Sequence, residues 1–158
     1  MITPEQIEHY AAGGQRLAQA IQGLTADDMA VASEPGKWSI HQVVIHLADA
    51  EVAFGDRVRR LLAMDEPALL AWDPDAYIAK LHYDAQSVED AVATVELTRR
   101  QLARVLRLQP PAAFLRAGTH NERGRQTVAD VLAYADKHLD HHLTFVAGKR
   151  ERMGKLMW

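Results

Sequence analysis

The sequence predicts an all-α protein: a four-helix bundle with a long crossover connection between the second and third helices. Four segments carry apolar residues at the spacing of an α-helix. Each segment begins with a serine or threonine that can cap a helix N-terminus. No stretch between these segments has the length or the alternation of a reliable strand.

The chain has 158 residues, the usual size of one domain, so we expect a single helical-bundle domain over residues 1–158. Apolar residues make up 48% of it, which is typical of a globular protein. A net charge of −3 gives no electrostatic reason to expect nucleic-acid binding, which usually needs a basic patch. Because there is no cysteine, a metal ion would need His, Asp, Glu or water as its ligands.

Targeting and membrane segments are not expected. The first residues, Met1 to Gln6, lack the basic start and the apolar core of a signal peptide. No run approaches the roughly 18 consecutive apolar residues that a membrane span needs. We therefore expect a cytoplasmic protein, and the absence of cysteine is consistent with that compartment.

The first helix is predicted over residues 3–23. Thr3 can cap it, and Gln6 completes a capping box with Thr3. Gly13 and Gly14 fall in its middle, where each glycine costs about 1 kcal/mol relative to alanine. A pair of glycines at such a position indicates either a bend or the close approach of another helix.

The second helix follows a connection in which Pro35-Gly36 indicates a turn. Ser39 can cap this helix as part of a capping box. Apolar residues then recur at helical spacing, and the helix is predicted to end near Met64.

A long connection over residues 65–86 separates the second helix from the third. It holds three aromatic residues, Trp72, Tyr77 and Tyr83, and loops of this length in a compact domain are often functional. A short link forces neighbouring helices to be antiparallel, whereas a long link lets the next helix start parallel to the last. We therefore expect the chain to cross the bundle here.

The third helix can be capped by Ser87 and stops before Pro110-Pro111, because proline cannot continue a helix. A second polar connection follows. Thr127 can cap the fourth helix, which carries an uninterrupted apolar stripe. The basic run at residues 149–152 is expected to be the frayed, solvated end of this helix.

Two histidines of the fourth helix, His138 and His142, are separated by about one helical turn. At that spacing two imidazoles stack on one face of the helix. Both occupy the apolar stripe, where an imidazole costs free energy unless its nitrogens find partners. His46 lies on the apolar stripe of the second helix, so a single metal ion bound by all three would provide those partners.

The ligand chemistry of His46, His138 and His142 suits zinc, nickel, iron or copper, because neutral imidazole binds all four metals. Three protein ligands leave one position open for water or substrate, an arrangement typical of catalytic sites. The alternative is that each histidine is a core residue with hydrogen-bonded nitrogens. His141 points about 100° away from His142 and is expected in solvent or at the rim of the site.

Supporting residues are less clearly indicated. Asp49, Asp136 and Asp140 lie near the three histidines in sequence, and carboxylates often accept a hydrogen bond from the second ring nitrogen of a ligand. His120 is a candidate rim residue. Trp38 and the three aromatics of the long connection are candidate walls of a pocket, or packing at the ends of the bundle.

There is no HExxH motif and no phosphate-binding glycine motif, so the catalytic and cofactor-binding residues stay unassigned.

Three segments of the chain match the pattern of a known family. They are Pro35-Gly36-Lys37-Trp38-Ser39, His46-Leu47-Ala48-Asp49-Ala50-Glu51 and His138-Leu139-Asp140-His141-His142. Together they resemble the DinB-like superfamily, in its branch of YfiT-like metal-dependent hydrolases and bacillithiol S-transferases. The resemblance covers nearly the whole chain. It departs from the family at His41, where a charged residue is frequent, and at Ala50, where serine is frequent.

The resemblance implies a four-helix bundle with a long crossover after the second helix, and a divalent metal ion, nickel or zinc, on His46, His138 and His142. It implies an enzyme in which the metal activates a water, or the thiol of a low-molecular-weight co-substrate, for transfer to a small electrophilic substrate. A homodimer without nucleic-acid or membrane partners is expected. The alternative is a non-catalytic metal-binding stress-response or dimerisation module, whose site would be closed by a fourth protein ligand, first of all Asp49 or Glu51.

Overall fold

A computed structural model describes residues 2–32 and 37–156. Its helices are α1 (Pro4–Ala11), α2 (Gly13–Ile21), α3 (Ala26–Ala30), α4 (Ile40–Ala63), α5 (Pro74–Lys80), α6 (Val88–Leu106) and α7 (Val128–Arg152). Its strands are β1 (Ala68–Leu69), β2 (Ala117–His120) and β3 (Gly124–Thr127), and it has 3₁₀ turns at Tyr83–Ala85 and Pro111–Leu115. Within the described ranges, none of the helices combines the length and the apolar character needed to cross a bilayer.

The predicted starts of the three long helices are confirmed. The side chains of Ser39, Ser87 and Thr127 each accept a hydrogen bond from a backbone N–H in the first turn of α4, α6 and α7. These local contacts satisfy backbone donors that have no partner inside the helix, which is why the pattern can be recognised in the sequence. The predicted turn at Pro35-Gly36 lies outside the described residues.

The first predicted helix is divided into α1 and α2, with the break at Ala12. A Cβ atom on Gly13 would lie 2.2 Å from Nη1 of Arg99, and one on Gly14 would lie 2.4 Å from Cα of Glu96. Both distances are far shorter than an ordinary van der Waals contact. The glycine pair therefore marks both features that the sequence left open, a break in the helix and the close approach of α6.

The long connection crosses the bundle, as predicted, because it joins two helices that run in the same direction. A Cβ atom on Gly55 of α4 would lie 3.1 Å from Thr98 of α6. Further along both helices, the guanidinium of Arg59 donates a hydrogen bond to Gln101. The residue numbers of the contacting partners increase along both helices, so α4 and α6 are parallel. A short link cannot connect two parallel helices.

A small three-stranded sheet joins the two long connections, and the sequence did not predict it. β1 pairs in parallel with β2, which pairs antiparallel with β3. Strands of two to four residues are too short for an alternating pattern to be recognised. A Cβ atom on Gly118 would lie 2.3 Å from the carbonyl oxygen of Pro67, so glycine is needed where the strands meet. The sheet brings the connection after α4 against the loop that carries His120.

The basic end of α7 is solvated only in part: Glu151 and Arg152 are exposed, as predicted, whereas the prediction was wrong for Lys149 and Arg150. Lys149 and Arg150 are 3% and 5% exposed. The ammonium of Lys149 donates a hydrogen bond to the carbonyl of Trp38 at 2.6 Å. The guanidinium of Arg150 donates to the carbonyls of Gln22 at 2.8 Å and Ala20 at 3.2 Å. These long side chains donate hydrogen bonds to backbone carbonyls that are shielded from water. A run of basic residues in a sequence does not predict this role.

The core consists of two apolar clusters with a charged layer between them along the helices. In this layer Arg99 of α6 is 1% exposed and forms ion pairs with Glu51 of α4 and Asp136 of α7. The hydroxyl of Tyr10 donates a second hydrogen bond to Glu51. The network therefore fixes α1, α4 and α7 around one guanidinium group.

Candidate metal centre

The three histidines predicted as ligands are brought together. α7 runs opposite to α4, so Phe54 packs on Tyr134 while His46, earlier on α4, lies beside His138 and His142, later on α7. One ring nitrogen of each imidazole belongs to a group whose members all lie within 4.8 Å of one another. His46 is 3% exposed, and the other two histidines are half-buried.

The nitrogen positions fit a metal ion. The Nε2 atoms of His46 and His138 lie 3.0 Å apart. Two imidazole nitrogens on one tetrahedral zinc ion, each at about 2.0–2.1 Å from it, are separated by roughly 3.3 Å. Nδ1 of His46 is buried and has no hydrogen-bond partner among the described residues. The three rings therefore do not satisfy all of one another's nitrogens, and at least one buried nitrogen is free to bind a further group.

Burial keeps the three imidazoles neutral. It lowers the pKa of His46 and of His138 to about 3 and the pKa of His142 to about 4, with repulsion from neighbouring histidines as a smaller cause. A neutral imidazole keeps a free lone pair on one nitrogen, whereas an imidazolium has none. Near neutral pH, each of the three side chains can therefore offer a lone pair to a cation.

Aromatic rings enclose the histidine cluster on several sides. Trp38 is stacked on His142 with ring centroids 6.3 Å apart, and it meets His46 edge-on at 4.9 Å. Trp72 lies 5.3 Å from His46, and Tyr77 packs on Trp72 at 4.7 Å. The tryptophans thus line the site, as one of the two interpretations of the sequence proposed, while Tyr77 contacts only the first layer of rings.

Neither carboxylate that would close the site as a fourth ligand does so. Asp49 accepts a hydrogen bond from the hydroxyl of Tyr83 at 2.5 Å, which also removes this tyrosine from the candidate pocket wall. Glu51 accepts a hydrogen bond from Nε of Arg99 at 2.7 Å. Neither residue belongs to the group of converging donor atoms. The described residues thus provide three ligands and no fourth.

The other two candidate supporting acids bind arginines. Asp136 lies 3.0 Å from Nη1 of Arg99, and Asp140 forms an ion pair with Arg16 of α2. The expectation that they orient the ligand histidines is therefore not met. His141 is exposed, as predicted from its position on the helix.

Two cavities reach the histidine cluster. A cleft of about 290 Å³ reaches His142 and is lined mainly by apolar atoms, including Trp38 and Phe145. A cavity of about 110 Å³ reaches His46 and His138 from another direction. Its wall is mostly polar, and we call it the polar cavity. The residues that line it include His46, Arg57, Trp72, His120, Arg123 and His138.

Two residues of the polar cavity, Arg57 and His120, have positions that the sequence did not predict. Arg57 was not recognised, although it lies about three turns after His46 and hence on the same face of α4. It is 7% exposed, and its Nη2 donates a hydrogen bond to the carbonyl of Leu70 at 2.6 Å. His120 was expected at a rim, but it is 3% exposed in the cavity wall. The sheet that buries it has no signal in the sequence.

The protonation of His120 can be inferred from its surroundings. The backbone N–H of Glu122 donates a hydrogen bond to Nδ1 of His120 at 3.2 Å, so Nδ1 carries no proton. Burial, with repulsion from Arg57 and Arg123, lowers the pKa of this histidine. The neutral ring must therefore carry its proton on Nε2, which makes Nε2–H a hydrogen-bond donor.

We expect ¹⁵N spectra of the histidine rings to show His120 as the Nε2–H tautomer near neutral pH. His41 is a reference in the same spectrum, because its Nε2 lies 3.0 Å from the carbonyl oxygen of Tyr83 and must also be protonated. The His120→Gln variant assigns the signal. A protonated Nδ1 on His120 would contradict the hydrogen bond from Glu122.

The family of the chain follows from comparison with known proteins. A family model described as the DinB superfamily matches residues 9–146. The chain belongs to the DinB superfamily. The resemblance found in the three sequence segments is thereby confirmed, and the match includes all three histidines of the cluster.

Two similar proteins carry the name of putative metal-dependent hydrolases. "Putative metal-dependent hydrolase OB0413" of Oceanobacillus iheyensis is 24% identical over 146 residues, covering 90% of this chain and 80% of the relative. "Putative metal-dependent hydrolase YfiT" of Bacillus subtilis is 24% identical over 140 residues, covering 88% and 79%.

The solved structure of YfiT, described as a probable metal-dependent hydrolase with an unusual four-helix bundle topology, superimposes with a TM-score of 0.90 at 22% identity. The superposition covers 98% of this chain and 91% of the YfiT chain. At that identity the likeness establishes the fold, so the predicted helical bundle is confirmed.

Proposed function

We propose that the protein binds one divalent metal ion, nickel or zinc, through His46, His138 and His142 and is a metal-dependent enzyme that acts on a small electrophilic substrate. One observation carries the proposal: three neutral imidazole nitrogens converge, and the rings that carry them are reached by two cavities. Imidazole suits both metals. The names of the relatives support hydrolysis, and the resemblance to S-transferases supports transfer of a thiol.

The ligand count supports an enzyme over a structural metal site. A divalent ion with three protein ligands supplies Lewis acidity that lowers the pKa of a water or a thiol near it, and so provides a nucleophile at neutral pH. Asp49 and Glu51, which would have completed a closed site, have other partners. The rings of Trp38 and Trp72 restrict water around the cluster, which strengthens electrostatic interactions inside it. A homodimer is part of the same proposal and rests on the resemblance, and a cytoplasmic location is proposed from the sequence composition.

Metal analysis of purified variants tests the ligand set. The His142→Ala variant is expected to bind zinc or nickel roughly 100-fold more weakly than wild type, since even residues that only support a ligand contribute about 10–100-fold. The matched control is His141→Ala, the same substitution one residue earlier at an exposed position. It should keep the wild-type metal content. Equal metal content in His142→Ala and wild type would refute the site.

Activity assays on the metal-loaded protein then separate the two reactions. One arm offers small ester and amide substrates in water, and the other offers a low-molecular-weight thiol with a generic electrophile. Turnover that His142→Ala loses and His141→Ala retains identifies the reaction. If neither arm shows metal-dependent turnover while the metal is bound, the non-catalytic module becomes the better description.

A further inference from the structure

Arg57 is a buried cation for which the described part of the chain provides no carboxylate partner. It is 7% exposed, and in residues 2–32 and 37–156 no carboxylate lies within 4.0 Å of its guanidinium. Its recorded hydrogen bond goes to a neutral carbonyl, that of Leu70. Burying a charge is costly unless it is paired or fully hydrogen-bonded. The other two buried arginines meet this condition: Arg99 has two carboxylate partners, and Arg150 donates to several backbone carbonyls, among them those of Ala20 and Gln22. Arg57 therefore has an unmet capacity to bind an anion.

Arg57 lines the polar cavity together with two other donors, and it also borders a second cavity beside Leu70. His120 lines the same cavity and carries its proton on Nε2. Arg123 lies at the exposed side of the cavity, with its guanidinium 4.1 Å from the ring centroid of Tyr134. Glu122 also lines the cavity, so two guanidinium groups and one carboxylate leave one net positive charge there.

We propose that the polar cavity binds a carboxylate group of the substrate through Arg57 and His120, beside the histidine cluster. The proposal rests on the function proposed above, because it assigns a substrate class to that same site. A planar carboxylate matches the fork of an arginine, and a singly charged anion matches the net charge of the cavity. The volume of about 110 Å³ suits a small group, since a cavity of about 150 Å³ holds benzene.

Paired small probes test the charge requirement. Propionate and its neutral isostere propionamide are titrated into the full-length protein, both metal-free and zinc-loaded, and the ring signals of His120 are followed by NMR. We expect propionate to bind at least about tenfold more tightly than propionamide, because only the carboxylate is charged and can accept two parallel hydrogen bonds from the guanidinium. The preference should be present without metal, which separates it from direct binding of the anion to zinc.

Two arginine variants on α4 assign the effect. Arg57→Met should abolish the preference for propionate, and Arg57→Lys should retain part of it, because lysine keeps the charge without the fork. The matched control is Arg59→Met, two residues further on at an exposed position, which should keep the full preference. If Arg57→Met does not fold, His120→Phe serves as the second test, because phenylalanine has no N–H donor. This variant lacks the observed ring, so its binding of the two probes is measured by titration calorimetry, with a weakened preference for propionate expected.

Several results would overturn the proposal. These are equal binding of the two probes to wild type, an unchanged preference in Arg57→Met, or a stronger response to inorganic phosphate than to propionate. Metal content is measured on the same samples. If wild type has normal metal content but shows no preference for the carboxylate, only the assignment of the cavity is refuted. If wild type binds no metal, the proposed function is refuted, and the preference for propionate can still be measured on the metal-free protein.

Discussion

Replacing Glu51 by alanine is expected to lower the free energy of unfolding by about 3–5 kcal/mol. Glu51 is 2% exposed and accepts hydrogen bonds from Arg99 and Tyr10. Without it, the guanidinium stays buried with only Asp136 as a charged partner, and the hydroxyl of Tyr10 loses its acceptor. Urea-induced unfolding, followed by circular dichroism, measures the change.

The matched control for this prediction is another Glu→Ala substitution in an arginine pair. Glu8 on α1 pairs with Arg107 on α6, at 2.7 Å, but both side chains are largely exposed. Water screens surface pairs of this kind, so Glu8→Ala should change stability far less than Glu51→Ala. Equal losses in the two variants would show that burial does not decide the strength of the Arg99 network.

Gly14→Ala and Gly148→Ala are expected to change stability in opposite directions. The Cβ atom of an alanine at position 14 would lie 2.4 Å from Cα and 2.9 Å from the backbone nitrogen of Glu96, so α2 and α6 would have to separate. Overpacking of this kind costs about 1–3 kcal/mol. At position 148 the nearest atom belongs to Arg152 at 3.9 Å, and replacing a glycine inside a helix should gain about 0.5–1 kcal/mol.

Thermal unfolding of the two glycine variants and of wild type provides the measurement. The same chemical change is made twice within helices, so differences in helix propensity cancel in the comparison. A gain in stability for Gly14→Ala would mean that the approach of α2 to α6 is looser than the structure shows.

The sequence predicts those parts of the fold that depend on local contacts. The caps at Ser39, Ser87 and Thr127 involve a side chain and a backbone group three residues away, so the pattern stands in the sequence itself. The division of the first helix depends on how closely α6 approaches, and the small sheet depends on pairing between residues 68 and 119. Such contacts between distant segments leave no local pattern.

The same distinction explains which site residues were found. His138 and His142 were identified because helical spacing places them on one face, and His46 because it interrupts an apolar stripe. Arg57 also lies on the inner face of α4, about three turns after His46, but a charged residue in a helix is usually solvated, so its spacing alone did not identify it. Its burial follows from the packing of the connection that contains Leu70.

The residues of the site belong to two groups that differ in how readily they can be replaced: the histidines on the long helices, and the residues on the two connections that the small sheet joins. The histidines belong to long helices, where an inserted residue would rotate a ligand by about 100° and remove it from the cluster. Trp72, His120 and Arg123 belong to connections, which tolerate insertions and substitutions far better. Descendants of one ancestor can therefore keep the same three histidines and diverge in what they recognise, by altering only the two connections that the sheet joins.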